Sequence, residues 1–281
     1  MPATLIQPST VSGKLLYFSP PKDGSRPITR INEDANYSSR YNWSPDQHIV
    51  PIEDVRGKED SYTLDTAGFQ FFQHKSTHTS FSNDEEIERE YYPESGELIK
   101  KLTGASKVVL FDHTIRRRRP GELDSDPSKR QPVSQVHVDQ TSQSSHDRVF
   151  RHLPKSEAPE LVKKRFQIIN LWRPISKPAF DWPLTLCDFR SIDRAKDLVP
   201  IALIYPDREG ETYGVKFNPE HRWKYAKGMT PEEIVLIKCF DSISDGSVSV
   251  LTPHTAFEDP STPEGSPLRE SIELRALVFY D

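Results

Sequence analysis

Apolar positions along this chain come mostly in short runs, and the period of those runs is nearer two than three and a half. Residues 135–140 (QVHVDQ) alternate as a strand does, which puts Val136 and Val138 on one face and His137 and Asp139 on the other. Residues 107–112 and 167–172 read as buried strands. Further strands are expected over 198–205, 212–217, 234–240, 248–251 and 272–280, with Pro, Asp and Gly signals between them. Helices are expected behind the cap-type residues Ser82-Asn83-Asp84, over 94–103 with a stop at Gly104, and over 159–165. Residues 1–60 read as an irregular lead-in holding one apolar run at 14–18. No repeat and no clean linker interrupts the remainder. The pattern therefore predicts one domain over 1–281, mainly β, with a barrel or jelly-roll core at 105–281 and short flanking helices.

Composition agrees with extended structure, since 24 prolines against 12 glycines favour strands and stiff loops over long helices. The net charge of -5 argues against a nucleic-acid partner. The four arginines at 116–119 are followed by Glu122, Asp124 and Asp126, so residues 116–132 read as a solvated loop of mixed charge. Two cysteines, Cys187 and Cys239, with no C-x-x-C spacing suit a reducing, cytoplasmic compartment. There is no apolar run of 18 residues and no apolar leader region, so neither membrane insertion nor secretion is expected.

The chemistry starts from His137 and Asp139. Two residues apart on a strand, an imidazole and a carboxylate can approach one ion together. A triad on one side of the ion needs a distant histidine, and His254 supplies it 115 residues beyond Asp139, just after an expected strand. Fifteen residues later the last strand opens with Arg269, and Ser271 shares its face. A guanidinium fork with a neighbouring hydroxyl suits the distal carboxylate of a dicarboxylate such as 2-oxoglutarate, whose keto-acid end would chelate the metal. Arg275 lies on the same face and competes for that carboxylate. His221 competes with His254 as the distal ligand, although no Arg-x-Ser follows it.

The chain resembles the 2-oxoglutarate/iron(II) oxygenase superfamily, and within it a fungal group related to the fungal gibberellin desaturase, the CmcJ-like proteins and the AsaB-type hydroxylases. That group includes a meroterpenoid endoperoxide-forming oxygenase. The likeness is carried by DVRGKED (54–60), LDTAGFQF (64–71), VVLFDHTIR (108–116), VHVDQT (136–141), INLWRPI (169–175) and LCDFRSID (186–193). It continues through residues 204–225, LIKCFDS (236–242), PHTAFEDP (253–260) and RESIELRAL (269–277). The resemblance implies a double-stranded β-helix core (jelly-roll, cupin-like). It implies iron(II) held by His137, Asp139 and His254, with 2-oxoglutarate and O2 as co-substrates. It also implies oxidation of an apolar small molecule, such as a terpenoid or meroterpenoid of secondary metabolism, by hydroxylation, desaturation or oxygen insertion.

Other residues carry alternatives. Trp223 and Tyr225 read as core or as pocket lining. Arg173 is expected to pair with a buried acid such as Asp188. Lys238, within an apolar strand, needs a partner, and strand parity puts Asp241 on the opposite side. Asp112 and His113 are candidates for supporting His137 from behind. Two other functions fit less of the pattern: a cupin-type metal hydrolase, isomerase or lyase, and a non-catalytic subunit of a related oxygenase. Homodimers, and heterodimers with a related oxygenase, stay open.

Overall fold

The computed structural model describes residues 10–31, 40–122 and 129–281, and fourteen strands run through them. The first part of the chain gives β1 (Thr10–Ser19), β2 (Ile28–Arg30), β3 (Ser44–Asp54), β4 (Phe69–Gln73) and β5 (Lys107–Arg117). The middle gives β6 (His137–Val138), β7 (Phe166–Pro174), β8 (Leu184–Cys187), β9 (Leu198–Ile204) and β10 (Glu209–Val215). The last are β11 (Trp223–Tyr225), β12 (Glu233–Asp241), β13 (His254–Ala256) and β14 (Glu270–Phe279). Five short helices interrupt them: α1 (Asp84–Glu86), α2 (Tyr92–Thr103), α3 (Ser142–His152), α4 (Ala158–Leu161) and α5 (Arg194–Asp197).

Nine strands form one sheet in the order β1-β3-β11-β8-β13-β6-β10-β9-β2, and five form a second in the order β4-β12-β7-β14-β5. The two curl against each other as a jelly roll. Pairing is antiparallel throughout except β11 on β3 and β2 on β9. Side chains between the sheets, among them Phe69, Ile168, Trp172, Val235, Ile237 and Leu277, make the inner core. The alternate residues of the five-stranded sheet, such as Ile169, Leu171, Ile272 and Leu274, pack outward against Ile87, Tyr91 and Ile99. Covered on both faces, β7 and β12 have no position that is not buried, which is why their sequences read as continuous apolar runs. The covering helix α2 has a proline in its first turn and ends on Gly104 at φ 71°, whose N–H donates to the Lys100 carbonyl.

The jelly roll is the one expected; several local readings are corrected. The lead-in at 1–60 is not irregular where it is described: β1 and β3 pair over ten residues and extend the larger sheet. Its polar outer residues hid the alternation. No strand forms at 248–251, and His254 instead opens a strand of its own, β13. A capping box between Thr141 and Ser144 starts α3, a helix absent from the sequence reading because its mean hydropathy is low. Helix 159–165 shrinks to α4, over Ala158–Leu161. Where it is described, the basic run is not a solvated loop: Arg116 and Arg117 belong to β5, and Arg118 bonds the buried Asp181 at 2.5 Å.

Lys238 shows why parity failed. A register shift in β12 between Lys238 and Phe240 adds a residue to that strand, which turns Asp241 to the lysine's side. The fully buried ammonium then meets Asp241 and Asp65, each at 2.9 Å, and donates to the Ser249 carbonyl. Arg165 reaches the same two carboxylates. Lys238→Ala should lower the unfolding free energy by about 3 kcal/mol, at the low end for a broken buried pair because Arg165 still compensates Asp241. Urea titration of both proteins measures it, and an unchanged midpoint would show the network to be energetically idle.

Candidate active site

His137 and His254 meet because their strands are neighbours. β6 lies between β13 and β10, with His137 opposite His254 on one side and Gly214 on the other. The imidazole centroids are 4.5 Å apart. Gly214 is required there, since a Cβ would lie 2.6 Å from the Phe18 ring and 2.7 Å from Ile201. Val136 and Val138 point into the core and are fully buried, so the strand's parity turns His137 the other way. Each imidazole is oriented by its own backbone: Nδ1 of His137 bonds the Gln135 carbonyl at 2.8 Å and Nδ1 of His254 the Thr252 carbonyl at 3.0 Å. Both therefore present a bare Nε2.

Asp139, one residue past β6, reaches toward the opposite sheet. Its Oδ2 accepts from Asn170 Nδ2 at 2.6 Å and Arg275 Nε at 3.2 Å, with the Cys239 thiol at 3.9 Å. Its Oδ1 is left facing His137 Nε2 at 3.4 Å. One atom from each of His137, Asp139 and His254 falls within 4.8 Å of the other two. Two neutral nitrogens and one carboxylate oxygen on one side of a point suit ferrous iron, with the far side open to other ligands.

The charges hold this arrangement in its metal-binding form. Burial raises the Asp139 carboxyl, but the Arg275 guanidinium beside it outweighs burial and holds the group well below the usual carboxylate range. Burial, and then the neighbouring His137, push His254 down and keep it neutral. Burial pushes the Cys239 thiol well up, and Asp139 adds to it, so no thiolate competes for the ion.

The two candidate arginines separate cleanly. Arg275 is surrounded by acids: Asp139, Asp112 at 3.0 Å and Glu273 at 2.8 Å. Burial disfavours its charge, yet these three carboxylates together raise it well above the normal arginine value. Arg269 is more deeply buried and has no carboxylate within ion-pair distance among the described residues. Its Nη1 donates to the Trp182 carbonyl at 2.5 Å, its Nε to Ser271 Oγ at 3.3 Å, and its plane lies over Trp172. Burial, and then the like charge of Arg116, push its guanidinium down to about 9. That is the signature of a cation short of an anion.

Arg269 lines a narrow cavity of about 20 Å³ together with Arg116, Trp172, Glu273, His137 and His254. A wider cavity of about 460 Å³ opens on the other side of His137 and Asp139, and Arg116 and Val133 line both. Sequence reasoning missed Asn170, Glu273 and Arg116. Parity with Ser271 could have found Glu273, and the cross-strand pair Ser271–Arg116 could not be read without the register.

The remaining candidates lie elsewhere. His221 is buried against Asp197 at 3.0 Å and stacks on Tyr17, so it reaches no ion with Asp139. Trp223 bonds the Tyr17 hydroxyl and Tyr225 bonds Asp259, both as core residues. Arg173 binds Tyr91, His74 and the Pro231 carbonyl; Asp188 pairs with Arg190 instead. His113 bonds Tyr92 and Asp84 rather than His137, and Asp112 serves Arg275. Cys187 and Cys239 are free and buried, and among the described residues no helix is long and apolar enough to cross a membrane.

Comparison with known proteins closes on the same chemistry. The family described as "Oxidoreductase/YMDC permease-like domain" matches residues 15–279. The chain is 34% identical to the hydroxylase/desaturase efuI of Hormonema carpetanum, across 98% of this chain and 97% of that protein. It is 30% identical to the Fe(II)/2-oxoglutarate-dependent dioxygenase nvfI of Aspergillus novofumigatus, across 98% and 94%. A solved structure of the iron and alpha-ketoglutarate-dependent endoperoxidase NvfI superposes with a TM-score of 0.84 at 27% identity, covering 97% of this chain and 98% of that one. These relatives are redox enzymes, which sets the hydrolase reading aside. The chain belongs to the family that holds these hydroxylase/desaturases and dioxygenases, and it is an iron(II)- and 2-oxoglutarate-dependent oxygenase that acts with O2 on a small-molecule substrate.

Proposed function

We propose that His137, Asp139 and His254 hold the iron and that Arg269, assisted by Ser271, receives the distal carboxylate of 2-oxoglutarate. The observation that carries the second assignment is the contrast in counter-ions: Arg275 already has three carboxylates, while Arg269, buried beside the two imidazoles, has none among the described residues. A buried cation gains most from an arriving anion when no resident acid has neutralised it. Ser271 supplies a hydroxyl on the same face, and Arg116 adds a second positive charge to the cavity. The cavity has room for about one water, so the dicarboxylate enters as Arg116 or Arg269 swings aside.

Bound iron, with 2-oxoglutarate and O2, supplies the oxidising power, and the 2-oxo acid leaves as succinate and carbon dioxide. The chain's own residues orient and insulate. Gln135 and Thr252 carbonyls fix the imidazole tautomers, and Asn170 and Arg275 hold one oxygen of Asp139 so that the other is left for the ion. The substrate is read as an apolar natural-product intermediate of the terpenoid or meroterpenoid kind, in fungal secondary metabolism. The cavity beside Asp139 supports that class by its size and by Trp43, Ile201 and Leu203 in its lining. Hydroxylation, desaturation and oxygen insertion all fit. A cytoplasmic location agrees with two free, buried thiols. Homodimerisation and pairing with a related oxygenase both stay open.

Three outcomes are expected. His254→Ala should abolish 2-oxoglutarate-dependent succinate release; release that survives intact removes the metal assignment. Arg275→Gln should weaken ferrous binding about 10- to 100-fold in anaerobic titrations, because Asp139 loses its orienting partner. Arg269→Ala should raise the KM for 2-oxoglutarate by roughly 100-fold while iron binding is retained, since it removes a charge-assisted, shielded carboxylate contact. The reverse pattern between the two arginines would exchange their roles.

A further inference from the structure

The wider cavity contains a cation for which the oxygenase reading has no use. Arg148, on α3, lines it together with His137, Asp139, Trp43, Leu203 and Tyr205. Its guanidinium lies over the Phe111 ring at 5.2 Å and is partly buried. Among the described residues it makes no hydrogen bond and no ion pair. Of the acids nearby, Asp112 accepts from Arg275 at 3.0 Å, and Asp147 is exposed to solvent and accepts from Gln143 at 3.0 Å. Burial lowers the Arg148 pKa, Arg151 and Arg275 add like charge, and Asp112 offsets only part. Polar groups, Arg116 and Arg130 among them, line much of the cavity, while Tyr41 and Trp43, packed at 4.7 Å, form an apolar flank with Ile201 and Leu203. Arg148 also faces a smaller adjoining cavity that shares Asp139 and Tyr205.

A partly desolvated guanidinium with no ion-pair partner, next to an apolar flank, gains from a ligand that brings one. Its planar fork matches a carboxylate in two parallel hydrogen bonds, and the shielded surroundings strengthen them. A neutral ligand would cover the charge without compensating it, at a cost in affinity. We propose that the substrate is an organic acid with an apolar body, and that Arg148 receives its carboxylate while the body lies along Trp43 and Leu203. The proposal rests on the oxygenase reading, because it takes the cavity beside Asp139 to be the substrate's. It adds to that reading the requirement of an acidic group and the residue that selects for it. 2-Oxoglutarate does not meet the requirement, since its own carboxylate is assigned to Arg269 in the separate cavity shared with His254.

The test uses the full chain loaded with ferrous iron under anaerobic conditions and saturated with 2-oxoglutarate, so that the Arg269 cavity is filled. The probes are 2-naphthoate and its neutral counterpart 2-naphthamide, compared by calorimetry. The wild-type protein should bind the acid at least about tenfold more tightly than the amide, and Arg148→Gln should remove that preference by weakening the acid alone. Retained amide binding shows that the variant's pocket is formed, and Arg148→Lys should keep part of the preference as a charge without the fork. Equal binding of acid and amide by the wild type overturns the proposal, as does a preference that persists in Arg148→Gln. Failure of the underlying reading shows separately, as wild-type protein that releases no succinate from 2-oxoglutarate.

Discussion

The Asp139–Arg275 contact joins the two sheets at the point where the chemistry is placed. Asp139 extends from the larger sheet, Arg275 from the smaller one, and Asn170 from the strand next to Arg275 in register. Burial works against the charge of this carboxylate, and the guanidinium facing it keeps it ionised. The guanidinium in turn stays charged through Asp112, Glu273 and Asp139. The network is closed on itself. It leaves one carboxylate oxygen outside the network, directed at the two imidazoles, and so converts a packing contact into an oriented donor.

Closure of that network also explains the division of labour on β14. Four polar residues at every second position, Arg269, Ser271, Glu273 and Arg275, face the space between the sheets, while Ile272, Leu274 and Ala276 seal the outer side against α2. One end of this polar row is neutralised by resident acids and the other is not. The unneutralised end lies beside His254, and in the proposed reading the anionic co-substrate completes the charge balance there. In the proposed reading Arg148 repeats the same logic in the wider cavity, on a helix rather than a strand. The enzyme is thus read as carrying two separate deficits of negative charge, one for each organic reactant.

Much of the site was legible before any coordinates. The period-two pattern around Val136 and Val138 assigned His137 and Asp139 to one face, and the later Arg269 and Ser271 shared a parity that the structure keeps. What misled the reading was local backbone irregularity. The extra residue in β12 reversed the side of Asp241, and the short β13 began at His254 where a preceding strand had been expected. The helix α3 is amphipathic but too polar overall to stand out from a loop, although it carries Arg148.

By itself the sequence determined the fold class, the donor types and the two arginines that could serve a dicarboxylate, because strand parity and side-chain chemistry are local properties of consecutive residues. Which arginine lacks a resident acid, and which histidine lies beside His137 and Asp139, only the tertiary structure shows. Both questions turn on neighbours far away in the chain: the acids that crowd Arg275, the Asp197 that binds His221, and the register that sets His254 against His137. Charge compensation is a property of the assembled interior, where a low dielectric makes each missing partner count. No stretch of sequence contains that information, since the partners come from separate strands and meet only when the sheets close.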